Sequence, residues 1–165
     1  MLGKANKRQY DYGCNRNWPV METLDTDEIR TILHDNGVGV LALDGGPGPY
    51  AIPVAFGYEQ DNQRLVLQLS EADGSRKSRS LTHNPNVCLT VYEETEPGAK
   101  WRSVVVEGKL VEIPYAEAET AFATLAKRTA EVPTPMGWRS VTDAATVTPY
   151  ELEIEHLSGQ QFARG

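Results

Sequence analysis

Tyr50-Ala51-Ile52-Pro53-Val54-Ala55-Phe56-Gly57-Tyr58 is the stretch on which the fold turns. Taken at a period of two, one face carries Tyr50, Ile52, Val54, Phe56 and Tyr58, and the other only Ala51, Pro53, Ala55 and Gly57. That pattern predicts a strand with one bulky and one bare face. The bare face admits either a flat ligand or the close packing of another strand or helix, and Pro53, which has no N–H, suits an edge or a bulge. Before it, the apolar run Val38 to Leu43 ends in the loop Asp44-Gly45-Gly46-Pro47-Gly48-Pro49, which makes a hairpin. After it, Glu59 to Gln63 turns the chain into Leu65, Leu67 and Leu69, alternating with Val66, Gln68 and Ser70. Val87, Leu89 and Val91 alternate in the same way with Cys88, Thr90 and Tyr92, so Cys88 reads as packing beside core valines. Trp101-Arg102-Ser103-Val104-Val105-Val106-Glu107-Gly108 is a long strand whose glycine marks a bulge or bend, and Val147 to Ile154 or beyond is the last strand. Six strands, mostly in hairpin order, predict a mainly β (α+β) domain built as an antiparallel barrel or open roll.

Helices punctuate this order. Asp25, three residues ahead of Glu28 and followed by Ile29, Ile32 and Leu33, predicts a capped helix that stops at Asn36-Gly37. Tyr115, Ala118, Phe122 and Leu125 share one side of a helix that runs to about Ala130. Residues 1–23 show no sustained period and read as an extended arm, leaving one domain at 24–165. A net charge of −7 disfavours nucleic acid and anionic membranes as partners. Cys14 and Cys88 stand far apart, and no apolar run approaches membrane-spanning length, so a cytoplasmic protein with free thiols is expected.

Gly74-Ser75-Arg76-Lys77 has the makings of a phosphate grip: a glycine, a hydroxyl and two cations where a short helix opens with free backbone N–H groups. Its other reading is a solvated basic turn. Gly37-Val38-Gly39-Val40-Leu41-Ala42 spells GxGxxA but leaves a helix and enters a strand, the reverse of dinucleotide-binding order. His34, His83 and His156 lie too far apart for metal spacing, and no GxSxG or Cys-His pair offers a nucleophile. No metal site and no catalytic side chain is therefore assigned.

Gly74-Ser75-Arg76-Lys77, Leu81, Asn84-Pro85-Asn86-Val87 and Arg102-Ser103-Val104-Val105-Val106-Glu107-Gly108-Lys109 together resemble the pyridoxamine 5′-phosphate oxidase-like FMN-binding split-barrel family, from about Leu24 to Gly159. The resemblance implies a six-stranded antiparallel split β-barrel, a homodimer, and FMN in the cleft between subunits. It places Arg76 and Lys77 on the FMN phosphate with Ser75 helping. Pro53, Val54, Ala55 and Phe56 would supply backbone contacts along the isoalloxazine, and Ser70 and Glu71 polar contacts to the cofactor. Ser103 stands where the oxidases have a glutamine, and Trp101 would wall the site.

The tyrosine, arginine and serine that such oxidases carry after the long strand, and their C-terminal arginine and histidine, have no counterpart in this sequence. The expectation is an FMN-dependent oxidoreductase acting on a small molecule other than pyridoxamine phosphate. The alternatives are a deazaflavin- or haem-binding relative and a non-catalytic flavin-binding protein. A homodimer is expected also because the aromatic row Tyr50, Phe56 and Tyr58 and the long Trp101 to Val111 strand offer more bulk than one small core covers.

Overall fold

The computed structural model describes residues 20–46, 48–70, 74–129 and 147–164. Seven strands and three helices follow in the order β1 (Val20–Thr23), α1 (Thr26–Asp35), β2 (Val38–Leu43), β3 (Tyr50–Glu59), β4 (Arg64–Ser70), α2 (Arg76–His83), β5 (Asn86–Glu96), β6 (Lys100–Glu112), α3 (Tyr115–Thr129) and β7 (Val147–Ala163). Neighbouring strands are antiparallel in the order β1-β7-β4-β3-β2-β5-β6, and a further β6–β7 ladder closes six of them into a barrel with β1 outside the ring. The expected six-stranded antiparallel barrel is thus present. Val20–Thr23, part of the expected arm, pairs with Gln160–Ala163 as the seventh strand, and residues 1–19 lie outside the described residues.

The inner faces carry the core predicted by the period of two. Leu41, Phe56, Leu65, Leu67, Leu89, Val91, Val104 and Val106 are all fully buried. The aromatic row does not seek a partner: Phe56 and Tyr58 lie inside the barrel, and Tyr50 packs against the same core. Cys88, alternating with the buried Val87 and Leu89, faces outward and is half-buried. The apolar side chains left exposed are instead Val38, Val40 and Tyr92 on the outer face of β2 and β5, along with Val20, Met21, Val111 and Tyr115.

Local chemistry fixes the helices and the bend. Asp25 accepts from the Glu28 N–H at 2.9 Å while Glu28 accepts from the Asp25 N–H at 2.9 Å, a reciprocal cap that starts α1. α1 then buries Ile29, Ile32 and Leu33 over one end of the barrel. At Gly108 the β6–β7 register slips by one residue. A β-carbon there would stand 2.0 Å from the Glu153 carbonyl oxygen, so only glycine lets the strands approach and the sheet curl. None of the described helices is long and apolar enough to cross a membrane.

Burial pushes the Tyr58 phenol above its ordinary 10.0, opposed by the Arg30 guanidinium beside it. The Arg64 guanidinium is likewise raised, chiefly by its hydrogen bond to Glu151, whose Oε2 lies 2.7 Å from Nη2. Arg64 joins β4 to β7 by this pair.

Candidate functional site

The barrel is split between β3 and β4. The β3–β4 ladder runs only from Phe56–Leu67 to Glu59–Arg64, whereas β3 is laddered to β2 from Tyr50 to Ala55. The Phe56 N–H donates to the Gly37 carbonyl at 2.9 Å, on the β2 side. Backbone direction alternates along a strand, so Ala51, Pro53 and Ala55 turn their peptide groups toward the split. Pro53, with no N–H to satisfy, occupies one of these positions. Across the split, Gln68, Leu69 and Ser70 pair with β7 instead.

The two faces of β3 divide as their side chains dictate. Val54 and Phe56 bury their side chains in the core, and the same alternation turns their peptide groups toward β2, as the Phe56 bond to Gly37 shows, so the expected backbone contacts at the split fall to Pro53 and Ala55. On the bare face Ala51 and Pro53 are exposed and Ala55 is half-buried. Gly57 is covered by α3, and a β-carbon there would stand 2.7 Å from the Ala121 carbonyl oxygen. The reading of close packing by a second element therefore holds at Gly57, and from Ala51 to Ala55 the bare face is an open surface.

At the wide end of the split stands the N-terminus of α2. Gly74 takes φ +72°, and Ser75 caps the helix by accepting from the Ser78 N–H at 3.1 Å. No acidic residue occupies the first turn. Arg76 reaches across to the loop before β3, its Nη2 donating to the Gly48 carbonyl at 3.1 Å and the Pro49 carbonyl at 3.3 Å. Its guanidinium also lies over the Tyr50 ring, with Cζ 4.5 Å from the centroid. A guanidinium has five donors, so Nε and Nη1 remain for an anion. Lys77 follows on the same first turn and is half-buried. Gly45 packs against this helix so closely that a β-carbon would meet the Ser80 carbonyl oxygen at 2.5 Å. Sequence reasoning saw only a turn in Gly45-Gly46 and did not foresee Tyr50 as the platform for Arg76.

Ser70 ends β4 at the split, and Glu71 lies outside the described residues. Trp101 and Ser103 are half-buried on the outer face of β6, Ser103 paired with Tyr92 and Gln160. β2 and β5 separate them from β3, three strand spacings or about 14 Å. One chain therefore brings Ser75, Arg76 and Lys77 together with the start of β3, and holds Trp101 and Ser103 apart from them. Asn36 donates to Glu93 at 2.7 Å and Arg102 to Glu93 at 2.6 Å, which pins the strands beside Ser103. On the same outer face a cavity of about 530 Å³ is lined by Asp44, Gly46, Pro49, Asn84, Cys88 and Glu107, among others. No group of acidic, histidine and cysteine side chains suited to a metal ion occurs among the described residues.

A family profile described as pyridoxamine 5′-phosphate oxidase matches residues 25–161. The chain belongs to the pyridoxamine 5′-phosphate oxidase family. No curated protein matches the sequence. Among solved structures, a FAD-binding protein from Mesorhizobium loti is 26% identical with a TM-score of 0.67, over 86% of this chain and 98% of its own. The FAD binding protein from Mycobacterium smegmatis shares the fold at 17% identity and a TM-score of 0.59, over 87% of this chain and 98% of its own. A heme binding protein from the same organism shares it at 22% identity and a TM-score of 0.55, over 78% of this chain and 50% of its own. Proteins named for different cofactors thus share this family's barrel.

Proposed function

We propose that the chain is an FMN-dependent oxidoreductase that acts on a small molecule as a cytoplasmic homodimer. The observation that carries this reading is the open β3–β4 ladder with the Ser75-capped, cationic helix start at its wide end. That cradle suits FMN, a flat ring system ending in a phosphate. Arg76 and Lys77, with the first turn of α2, would hold the phosphate. The exposed edge of Ala51, Pro53 and Ala55 offers carbonyl groups, and at Ala51 and Ala55 an N–H, to the ring. Trp101 and Ser103 lie too far off to join the same site within one chain, so they would act on the flavin of a partner subunit. The exposed Val38, Val40 and Tyr92 give that partner an apolar surface to cover.

Bound flavin supplies hydride or electron transfer to a small molecule at one ring face. The chain's own part is to anchor the phosphate, align the ring along β3 and exclude water from the covered face. Pyridoxamine phosphate itself is not the substrate, because the cations needed for its phosphate are missing from the sequence.

The similar structure named as FAD-binding favours one second reading, a flavin dinucleotide in the same split. Identification of the chromophore released from purified protein by mass spectrometry, with the visible spectrum before release, tests the assignment. FMN at about one per chain is expected. FAD would move the phosphate assignment, and a haem Soret band or binding of a deazaflavin in place of FMN would overturn it.

A further inference from the structure

Arg76 is held in place without being neutralised. Arg30, Arg64 and Arg102 each lie against a carboxylate, that of Asp27, Glu151 and Glu93 respectively. None of the ion pairs among the described residues includes Arg76. Its contacts are neutral instead: the Gly48 and Pro49 carbonyls on Nη2, and the face of the Tyr50 ring under Cζ. The ring is itself fixed, because Tyr50 is paired with Leu43 of β2 and packs against the barrel core. Arg76 remains exposed, so an anion can reach it. An aromatic face attracts a cation through its quadrupole but carries no net charge. A carboxylate in the same place would orient the guanidinium and cancel it; the Tyr50 ring orients it and leaves its charge for an incoming anion.

Resting on the phosphate reading above, we propose that Tyr50 is a positioning residue for the phosphate of the bound flavin. It acts through Arg76, by holding the guanidinium at the mouth of the split before the ligand arrives. An arginine side chain has much rotamer freedom to lose, and a side chain ordered in advance spares binding that cost. Because the effect passes through the cation, the ring at position 50 matters to a ligand that carries the phosphate and not to one that lacks it.

The test compares FMN with riboflavin on the full-length protein. Dissociation constants for both are measured by fluorescence quenching with wild type, Tyr50→Phe, Tyr50→Leu, and protein carrying pentafluorophenylalanine in place of Tyr50. The quantity read is the ratio of the two constants within each protein, in which a general loosening of the split cancels. Tyr50→Phe should keep the wild-type preference for FMN. Tyr50→Leu and the fluorinated protein should each lose about threefold of it, the worth of a cation over an exposed aromatic face. Fluorination keeps the ring's shape and removes the negative charge of its face, so the test survives if the leucine variant fails to fold. An unchanged ratio in the fluorinated protein overturns the inference and leaves the flavin assignment standing. So does an equal loss in Tyr50→Phe, because the hydroxyl and not the ring face is then at work. Wild type that binds the two flavins alike removes the phosphate site and the inference with it, and failure to bind either overturns the proposed function as well.

Discussion

The Arg76 guanidinium lies over the Tyr50 ring, 4.5 Å from its centroid, and so joins the start of α2 to the start of β3 across the mouth of the split. A cation over an aromatic face contributes about 0.5–1 kcal/mol at an exposed site, and the two loop carbonyls that share Nη2 add direction. Arg76 is thereby oriented ahead of any ligand. A phosphate arriving there meets a guanidinium whose rotamer freedom is already restricted.

Replacing Arg76 and Lys77 together by alanine should weaken FMN by about 3 kcal/mol, through loss of charge-assisted bonds to phosphate. Riboflavin, which has the ring and no phosphate, should bind the variant as it binds wild type. Titration calorimetry with both ligands checks this. Equal losses would show that the two cations support the fold.

Val40 is 47% exposed on the outer face of β2, in register with Pro53 and Thr90. If this face meets a second chain, Val40→Glu buries an unpaired charge there and should shift light scattering from about twice 18.2 kDa to a single chain. A β-carbon already stands at position 40, and its side chain faces outward, so the monomer's melting temperature should change little. Wild type running as one chain would refute the dimer.

Gly45→Ala forces a β-carbon against main chain, 2.5 Å from the Ser80 carbonyl oxygen, so α2 and the loop before β3 must move apart. A cost of about 1–3 kcal/mol is expected, visible in the melting temperature, along with weaker FMN binding as the Gly48 and Pro49 carbonyls shift away from Arg76. Gly46→Ala is the control, its nearest neighbour being 3.9 Å away.

Tyr58 carries an alkaline limit on stability. Its folded phenol titrates above the unfolded value of 10.0, so its contribution is complete below pH 10.0 and falls as pH rises from there through the folded value. Tyr58→Phe should lower stability by about 1 kcal/mol at neutral pH by removing the hydroxyl bonded to Arg30. It should also flatten the decline above pH 10.0. Denaturant melts of both proteins at neutral and alkaline pH report the difference directly.

The alternating strands β2 to β6 were legible because each has one inner face, and the period of two marks it. β7 was legible only to about Ile154. Beyond that, the register slip opposite Gly108 and the small Gly159, which makes room for Ile29 of α1, break the apolar alternation. β1 is four residues long and lies on the outside, too short to show a period. The α2 cap could be read from Gly74-Ser75, since those residue types follow from local backbone needs. Tyr50 under Arg76 could not, because that contact depends on which elements the closed barrel brings together.

β7 touches three other strands, so the ring has no stable form until the last described strand is available. During synthesis β2 to β6 leave the ribosome as an open, curled sheet whose inner leucines and valines face water. The long sequence separation between β7 and its β4 and β1 partners also makes closure slow relative to local hairpin formation. A nascent chain stalled before Val147 therefore presents a sticky half-shell with bare edges, a client for chaperones. Release of the final strand converts it into a barrel and, in the same step, sets Gln160 beside Ser103.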